Sequence, residues 1–314
     1  MGTPAKWSLQ CVDAGTQYCP CYLAESGHCF VCSLLAGAEF CDCRWSGDCS
    51  YMNFRHKNRV PAGREETVVE VKVQLLRPDL IDIRFRVGAE AAMHYSQPGA
   101  FLFIRPLSAP SSAAVPLSIV DVINDEIWLV AKCVGPKSKL LSSLARKAVV
   151  KGPFFSALSS SHLIKISRNQ RVVLAAGGVG QSAIILAAKT LQRGGNIMKA
   201  CIAPGAAGMI YTAAGLENCG AEVVEVASMR ESGLDLIGEW LIHFEPTLVV
   251  CAGPDIFKDA LWQLAAGRGL DLVHSQNINI CCGEGLCGSC LSADFEQGRV
   301  PLCKAQYRIY EGRR

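Results

Sequence analysis

The chain has 314 residues, half of them hydrophobic and 19% charged, with a net charge of +3. At about 100–200 residues per domain this leaves room for two or three domains with real cores, and it excludes wholesale disorder. A pI of 8.1 is too mild to argue for a nucleic-acid partner. Mean hydropathy is high at +0.23, yet the richest apolar stretch, residues 172–191, is broken by Gly177, Gly178, Gly180, Gln181 and Lys189. It falls short of the roughly 18 unbroken apolar residues of a spanning helix. The first residues carry no signal-peptide core, so the expectation is a cytoplasmic protein with no membrane span.

Seventeen cysteines are unusual for a reducing compartment, where disulfides are not expected. Eight of them, Cys11, Cys19, Cys21, Cys29, Cys32, Cys41, Cys43 and Cys49, lie in residues 1–60. Two stretches there repeat a pattern of aromatic, C-x-C and S-G-[HD]-C. Tyr18-Cys-Pro-Cys21 leads to Ser26-Gly-His-Cys29, and Phe40-Cys-Asp-Cys43 leads to Ser46-Gly-Asp-Cys49. Periodic apolar positions are scarce, so bound metal must supply folding energy that a core cannot. With Cys11 and Cys32 the thiols make two sets of four whose pairing the sequence leaves open. Such sites suit a [4Fe–4S] cluster or zinc. His28 and His56 read as surface residues. Residues 58–64 read as the linker that closes the segment.

Residues 65–158 have the period of short β-strands. Val69, Val71 and Val73 alternate with polar residues, as do Ile81, Ile83, Phe85 and Val87, with Arg77-Pro-Asp79 as the turn between them. Further strand-like runs at 100–104, 117–122 and 127–133 suggest a small antiparallel barrel. Residues 165–280 alternate strand and helix. The strands are expected at 171–176, 197–202, 222–226 and 247–251, and the helices at 182–191 and 255–266. This is the signature of a parallel sheet covered by helices. Gly177-Gly-Val-Gly180, between the first strand and the first helix, fits a dinucleotide turn in which phosphate meets backbone N–H groups. The complete G-x-G-x-x-G is absent, and the loop directly after Ile202 has no acidic residue to hold a ribose.

Residues 281–314 carry Cys282-Gly-Glu-Gly-Leu-Cys287-Gly-Ser-Cys290 and then Cys303. C-x4-C-x2-C with a distant fourth cysteine is the plant-type [2Fe–2S] spacing. Zinc sites usually show paired C-x2-C instead. Cys281 is the neighbour that could stand in for Cys282. The remaining cysteines, Cys133, Cys201, Cys219 and Cys251, sit among apolar residues and read as small core side chains.

In this order of parts, a barrel, Ala-Gly-Gly-Val-Gly, a late Gly-Pro and a C-terminal C-G-x-G-x-C-x-x-C loop, the chain resembles the ferredoxin-reductase-like flavoproteins. It is similar in particular to the electron-transfer subunit of dihydroorotate dehydrogenase and the small subunit of NADH-dependent ferredoxin:NADP oxidoreductase. The resemblance covers about residues 65–310. It implies an FAD-binding barrel, an NAD(P)-binding domain, a [2Fe–2S] cluster and a heteromeric complex with a partner oxidoreductase subunit. Residue by residue, Pro116-Leu-Ser118 resembles the flavin segment. Val134-Gly-Pro-Lys-Ser138 resembles the turn near the FAD pyrophosphate, which implicates Gly135 and Ser138. Gly177, Gly178 and Gly180 match the nucleotide turn, and Gly253-Pro254 the turn beside the nicotinamide. Two departures stand out. Ala114-Val115 occupies the place of the family's pyrophosphate-clamping arginine, for which Arg105 or Lys137 could substitute, and Gly152-Pro-Phe-Phe155 replaces G-P-x-G. The alternative is therefore a flavin-less iron–sulfur relay or scaffold subunit. Hydride and electron chemistry belongs to the cofactors, and no catalytic acid–base residue is expected.

Overall fold

The computed structural model describes residues 6–42, 48–56, 60–294 and 298–310. Cys43, Trp45 and Ser46-Gly47 of the second cysteine motif, and Asn58-Arg59 of the linker, lie outside the described residues. By contacts the chain divides into two units, one of residues 66–277 and one that joins residues 1–65 to residues 278–314.

The second of these begins with β1 (Lys6–Cys11), α1 (Tyr22–Glu25) and α2 (Ser50–His56). The larger unit follows. Six antiparallel strands close a barrel: β2 (Glu66–Arg77), β3 (Leu80–Arg86), β4 (Phe101–Pro106), β5 (Val115–Ile123), β6 (Glu126–Lys132) and β7 (Lys147–Phe154). Their order around the barrel is β2-β3-β6-β5-β4-β7. The expected alternation is met: Ile81, Ile83 and Phe85 point inward with Val69, Val71, Leu102, Ile104 and Leu129. α3 (Ala89–Tyr95) and α4 (Pro136–Lys139) sit in its connections.

The barrel runs into β8 (Leu158–Ser159), α5 (His162–Ile166), β9 (Arg171–Gly177), α6 (Ile185–Arg193), β10 (Ile197–Ala203), α7 (Ala213–Asn218), β11 (Ala221–Glu225), α8 (Leu234–His243), β12 (Leu248–Ala252), α9 (Asp255–Ala265) and β13 (Asp271–Ser275). These strands form one sheet in the order β11-β10-β9-β12-β13-β8, parallel except for β8 at its edge. The all-apolar run of β9 is explained by burial on both faces. Val172, Leu174 and Ala176 pack with α6 residues such as Ile185 and Ala188, while Val173 and Ala175 pack with Ile237, Trp240, Phe257 and Leu261 of α8 and α9. Leu80, Val120 and Val130 of the barrel join the first of these cores, and Lys189 of α6 pairs with Asp121 of β5. The helix expected at 182–191 begins later, because residues Gly178–Ala183 form a 3-10 turn before α6.

The chain then returns to the smaller unit through β14 (Leu291–Asp294), β15 (Gly298–Pro301) and β16 (Ala305–Tyr310). β16 pairs antiparallel with β1, Cys11 opposite Ala305. The cysteine-rich start and the C-terminal segment are thus one folded body. Its apolar core is small: Ala24, Cys32, Leu35 and Phe54. Among the described residues no helix is long and apolar enough to cross a membrane.

Candidate functional site

The sheet order reverses at β9, with β10 and β11 on one side of it and β12 and β13 on the other. Crevices at such reversals, beyond the carboxyl ends of the strands, are where open α/β sheets take ligands. Both glycine turns named above lie there. Gly177, Gly178 and Gly180 follow β9, and Gly253-Pro254 follows β12. They touch: a Cβ on Gly180 would stand 2.5 Å from the Ala252 carbonyl oxygen and 2.9 Å from the Gly253 nitrogen. Gly178 has φ +61°, and its Cβ would stand 3.2 Å from the Ala206 nitrogen. The 3-10 turn also lies against β5 and β6 of the barrel.

A residue that sequence reasoning missed holds this crevice together. Gln181 is fully buried. Its Nε2 donates to the Ala203 carbonyl at 3.2 Å and the Met209 carbonyl at 3.1 Å. Its Oε1 accepts from the Tyr211 N–H at 3.2 Å and the Thr212 hydroxyl at 3.1 Å. Ser182 meets the Tyr211 hydroxyl at 2.9 Å, a phenol that burial pushes up to about 12. At the second turn, the Gly253 N–H donates to Ser275 Oγ at 3.1 Å and Asn277 Nδ2 donates to the Gly253 carbonyl at 2.9 Å. Cys251 is wholly buried beneath it, and that burial pushes its thiol up to about 12.

On the barrel, Pro116, Leu117 and Ser118 pair with Phe103, Leu102 and Phe101. Pro116 is exposed and the next two are half-buried, whereas residues 119–122 of the same strand are buried. This strip is open for a planar ligand. Ser138 caps α4: its hydroxyl accepts from the N–H groups of Val134 (3.1 Å) and Gly135 (3.0 Å) and donates to the Gly135 carbonyl at 3.2 Å. Lys137 is exposed. Arg105 is engaged elsewhere, with Glu66 at 2.6 Å and the Ala109 carbonyl at 2.6 Å. Phe154, from the altered Gly-Pro segment, packs against Phe101 and Phe103 with centroids 5.2 Å away. The strip therefore fits a flavin ring but offers no arginine to its pyrophosphate.

The C-terminal thiols converge. Cys303 donates toward Cys282 and Cys290, which drives its own pKa up and holds those of Cys282 and Cys290 below the usual thiol range. Cys287 also hydrogen-bonds Cys282. Backbone N–H groups point at sulfur: Glu284 to Cys282 at 3.3 Å and Cys303 to Cys290 at 3.4 Å. Gly283, Gly285 and Gly288 have φ of +69°, +80° and +76°, which lets the loop wrap with its amides inward. Cys281 is exposed. Four thiols ringed by amide donors fit a [2Fe–2S] cluster.

Beside them lies a feature that no motif announced. Asp13, Arg64, Glu284 and Lys304 have side chains no more than 3% exposed. Arg64 meets Asp13 at 2.7 Å and Glu284 at 3.5 Å, and Lys304 meets Asp13 at 2.5 Å and Glu284 at 3.0 Å. Burial acts to raise the Asp13 carboxyl, but Lys304 and Arg64 outweigh it and hold the group below its usual range. The four charges join the start of the chain to the loop of Cys282–Cys290.

Of the N-terminal cysteines, Cys11, Cys19, Cys21 and Cys29 line one small, partly open cavity of ≈ 20 Å³, with Asp13 and Ser50. Cys32 is buried, while Cys41 and Cys49 are exposed. His28 and His56 are exposed. Among the described residues these N-terminal cysteines form no group of three, with one another or with His, Asp or Glu, that would hold a single metal ion.

No family model matches the chain. A curated relative, the electron-transfer subunit of dihydroorotate dehydrogenase B (NAD(+)) from Clostridium acetobutylicum, is 24% identical over 214 residues, 66% of this chain and 82% of the relative. Among solved structures, NADH-dependent reduced ferredoxin–NADP oxidoreductase, studied for flavin-based electron bifurcation, superposes with a TM-score of 0.59 at 21% identity, covering 75% of this chain and 84% of the other. The ferredoxin reductase of carbazole 1,9a-dioxygenase superposes with a TM-score of 0.53 at 18% identity, covering 68% of each. Barrel, switch-point sheet and glycine turns together make this chain similar, in sequence, to the dihydroorotate dehydrogenase electron-transfer subunit and, in fold, to the ferredoxin reductases.

Proposed function

We propose that the chain is the electron-transfer subunit of a heteromeric oxidoreductase, active with NAD(P)H and carrying electrons between that nucleotide, FAD, iron–sulfur centres and a partner subunit. The carrying observation is the meeting of the Gly180 and Gly253 turns at the reversal of the sheet, against the barrel strands β5 and β6. Gly177, Gly178 and Gly180 would face the nucleotide pyrophosphate, and Gly253-Pro254 the nicotinamide. Pro116, Leu117 and Ser118 would border the flavin, with Gly135 and Ser138 shaping the turn near its phosphates. Cys282, Cys287, Cys290 and Cys303 would ligate a [2Fe–2S] cluster, and the N-terminal cysteines a further metal centre. FAD held there would supply hydride acceptance, and the clusters would supply one-electron transfer. The chain's own part is to hold these groups in place, exclude water and set the surrounding charge.

A second reading, a relay or scaffold subunit without flavin, is favoured by one observation: Arg105 is committed to Glu66 and Ala109, and no arginine precedes Pro116. Purification of the full chain without oxygen separates the two. The expected result is flavin released on acid denaturation, NADH-dependent bleaching of the flavin band, and iron with acid-labile sulfide. Cys287→Ser should abolish the reduced [2Fe–2S] resonance. Iron and sulfide without flavin, even after reconstitution with excess FAD, would establish the second reading. An unchanged resonance in Cys287→Ser would remove the cluster assignment.

A further inference from the structure

The sequence leaves the grouping of the eight N-terminal cysteines open, and one cavity brings four of them together. From its lining we infer that Cys11, Cys19, Cys21 and Cys29 are the four ligands of a single iron–sulfur cluster of the [4Fe–4S] class, separate from the C-terminal site. The inference rests on the reading that the N-terminal segment binds metal and states which thiols do so, and around what.

Three features carry it. The first is a shared lining. The four cysteines come from β1, from both sides of Pro20 and from the loop after α1, yet they border one cavity. The second is the set of donors aimed at the sulfurs. The Asp13 N–H hydrogen-bonds Cys11, the Gly15 N–H and the Ser50 hydroxyl reach Cys19, the latter at 3.1 Å, and the Cys32 N–H reaches Cys29 at 3.4 Å. Donors around sulfur stabilise thiolate and tune a cluster, as they do in the C-terminal loop. A neutral core thiol needs none of them. Lys304, wholly buried, lies close enough to Cys11 and Cys21 to interact electrostatically with both; at Cys11 the Asp13 carboxylate outweighs it, so the cation favours thiolate chiefly at Cys21.

The third feature decides between metals. Zinc–thiolate bonds are about 2.3 Å, so four sulfurs round one zinc must lie within roughly 4 Å of each other. Among the described residues, Cys11, Cys19, Cys21 and Cys29 form no such group of three. A four-iron cluster is a larger body whose ligands stand apart around it, and four cysteines spaced around one cavity suit that better than they suit an ion. Cys41 and Cys49 are exposed and outside this wall.

The test uses the full chain, purified without oxygen, in a Cys287→Ser background that silences the C-terminal resonance. Iron, sulfide and zinc are quantified and the dithionite-reduced protein is examined by electron paramagnetic resonance. Cys19→Ser and Cys29→Ser should each remove roughly four irons per chain and the same resonance, while Cys49→Ser leaves that resonance in place. A substitution-free measurement guards against misfolding. On chelation of the parent protein, mass spectrometry should show Cys11, Cys19, Cys21 and Cys29 becoming alkylated together. Equal loss of the resonance in Cys49→Ser, or retention in Cys19→Ser, would overturn the ligand set. Stoichiometric zinc in place of the extra iron would overturn the cluster class. Absence of any metal beyond the C-terminal iron would instead overturn the underlying reading of the segment.

Discussion

Lys304 is wholly buried with its ammonium between Asp13 and Glu284. Taking one partner from a buried ion pair costs about 3–5 kcal/mol, because the charge left behind is desolvated and uncompensated. Lys304→Met should therefore destabilise the smaller unit by roughly that amount. Denaturant-dependent hydrogen exchange of the β1 and β16 amides measures it. Adding Asp13→Asn should recover part of the loss, and a cost below about 1 kcal/mol for Lys304→Met would contradict the assignment. Nothing in the sequence announces this network. Asp13, Arg64, Glu284 and Lys304 are ordinary surface residue types, and long-range pairing alone buries them. The cysteines beside them are legible because thiolate chemistry requires a fixed residue type at a restricted spacing, whereas a carboxylate or an ammonium is consistent with almost any environment.

At the scale of elements, the readable parts are those whose burial is periodic. Ile81, Ile83 and Phe85 face the barrel interior as their alternation requires, and β9 is apolar throughout because helices cover both of its faces. The β1–β16 ribbon is not readable, since Lys6–Cys11 pairs with residues almost the whole chain away. The late start of α6 is not readable either. There Gln181 bonds to the carbonyls of Ala203, at the end of β10, and of Met209 in the connection that follows. The glycine turn shows how far a motif reaches. All three glycines match a pattern, but their constraints differ. A Cβ at Gly177 meets only the Met229 side chain, at 3.0 Å, and φ there is an ordinary −134°. At Gly180 it meets backbone that cannot move aside. Gly180→Ala should cost about 1–3 kcal/mol by overpacking and weaken NADH binding by forcing the two turns apart. Gly177→Ala should stay within about 1 kcal/mol of the parent, because a flexible methionine can yield. Denaturation midpoints and NADH titrations of both variants check the contrast. Equal behaviour of the two would mean that the turns need not touch.

For the molecule as a whole, the two units hold themselves together by different means. The larger has three extensive apolar clusters. In the smaller, four buried residues make the only apolar cluster found among the described residues, for a segment of several dozen. Ordering each residue costs about 1–2 kcal/mol of backbone entropy, which a core of that size does not offset. A structural metal site in a small module contributes about 10–16 kcal/mol, and the metal centre proposed above would supply it. Anaerobic chelation should therefore unfold the smaller unit selectively. In hydrogen exchange followed by mass spectrometry, amides of residues 12–42 and 48–56 should approach unprotected rates. Those of β9 and β12, wholly buried in the sheet, should keep their protection. Re-addition of iron and sulfide should restore the first group. Full protection of residues 12–42 after complete removal of iron and zinc would mean that the buried ion quartet and the β1–β16 ribbon suffice to hold the fold, and that metal there serves electron transfer alone.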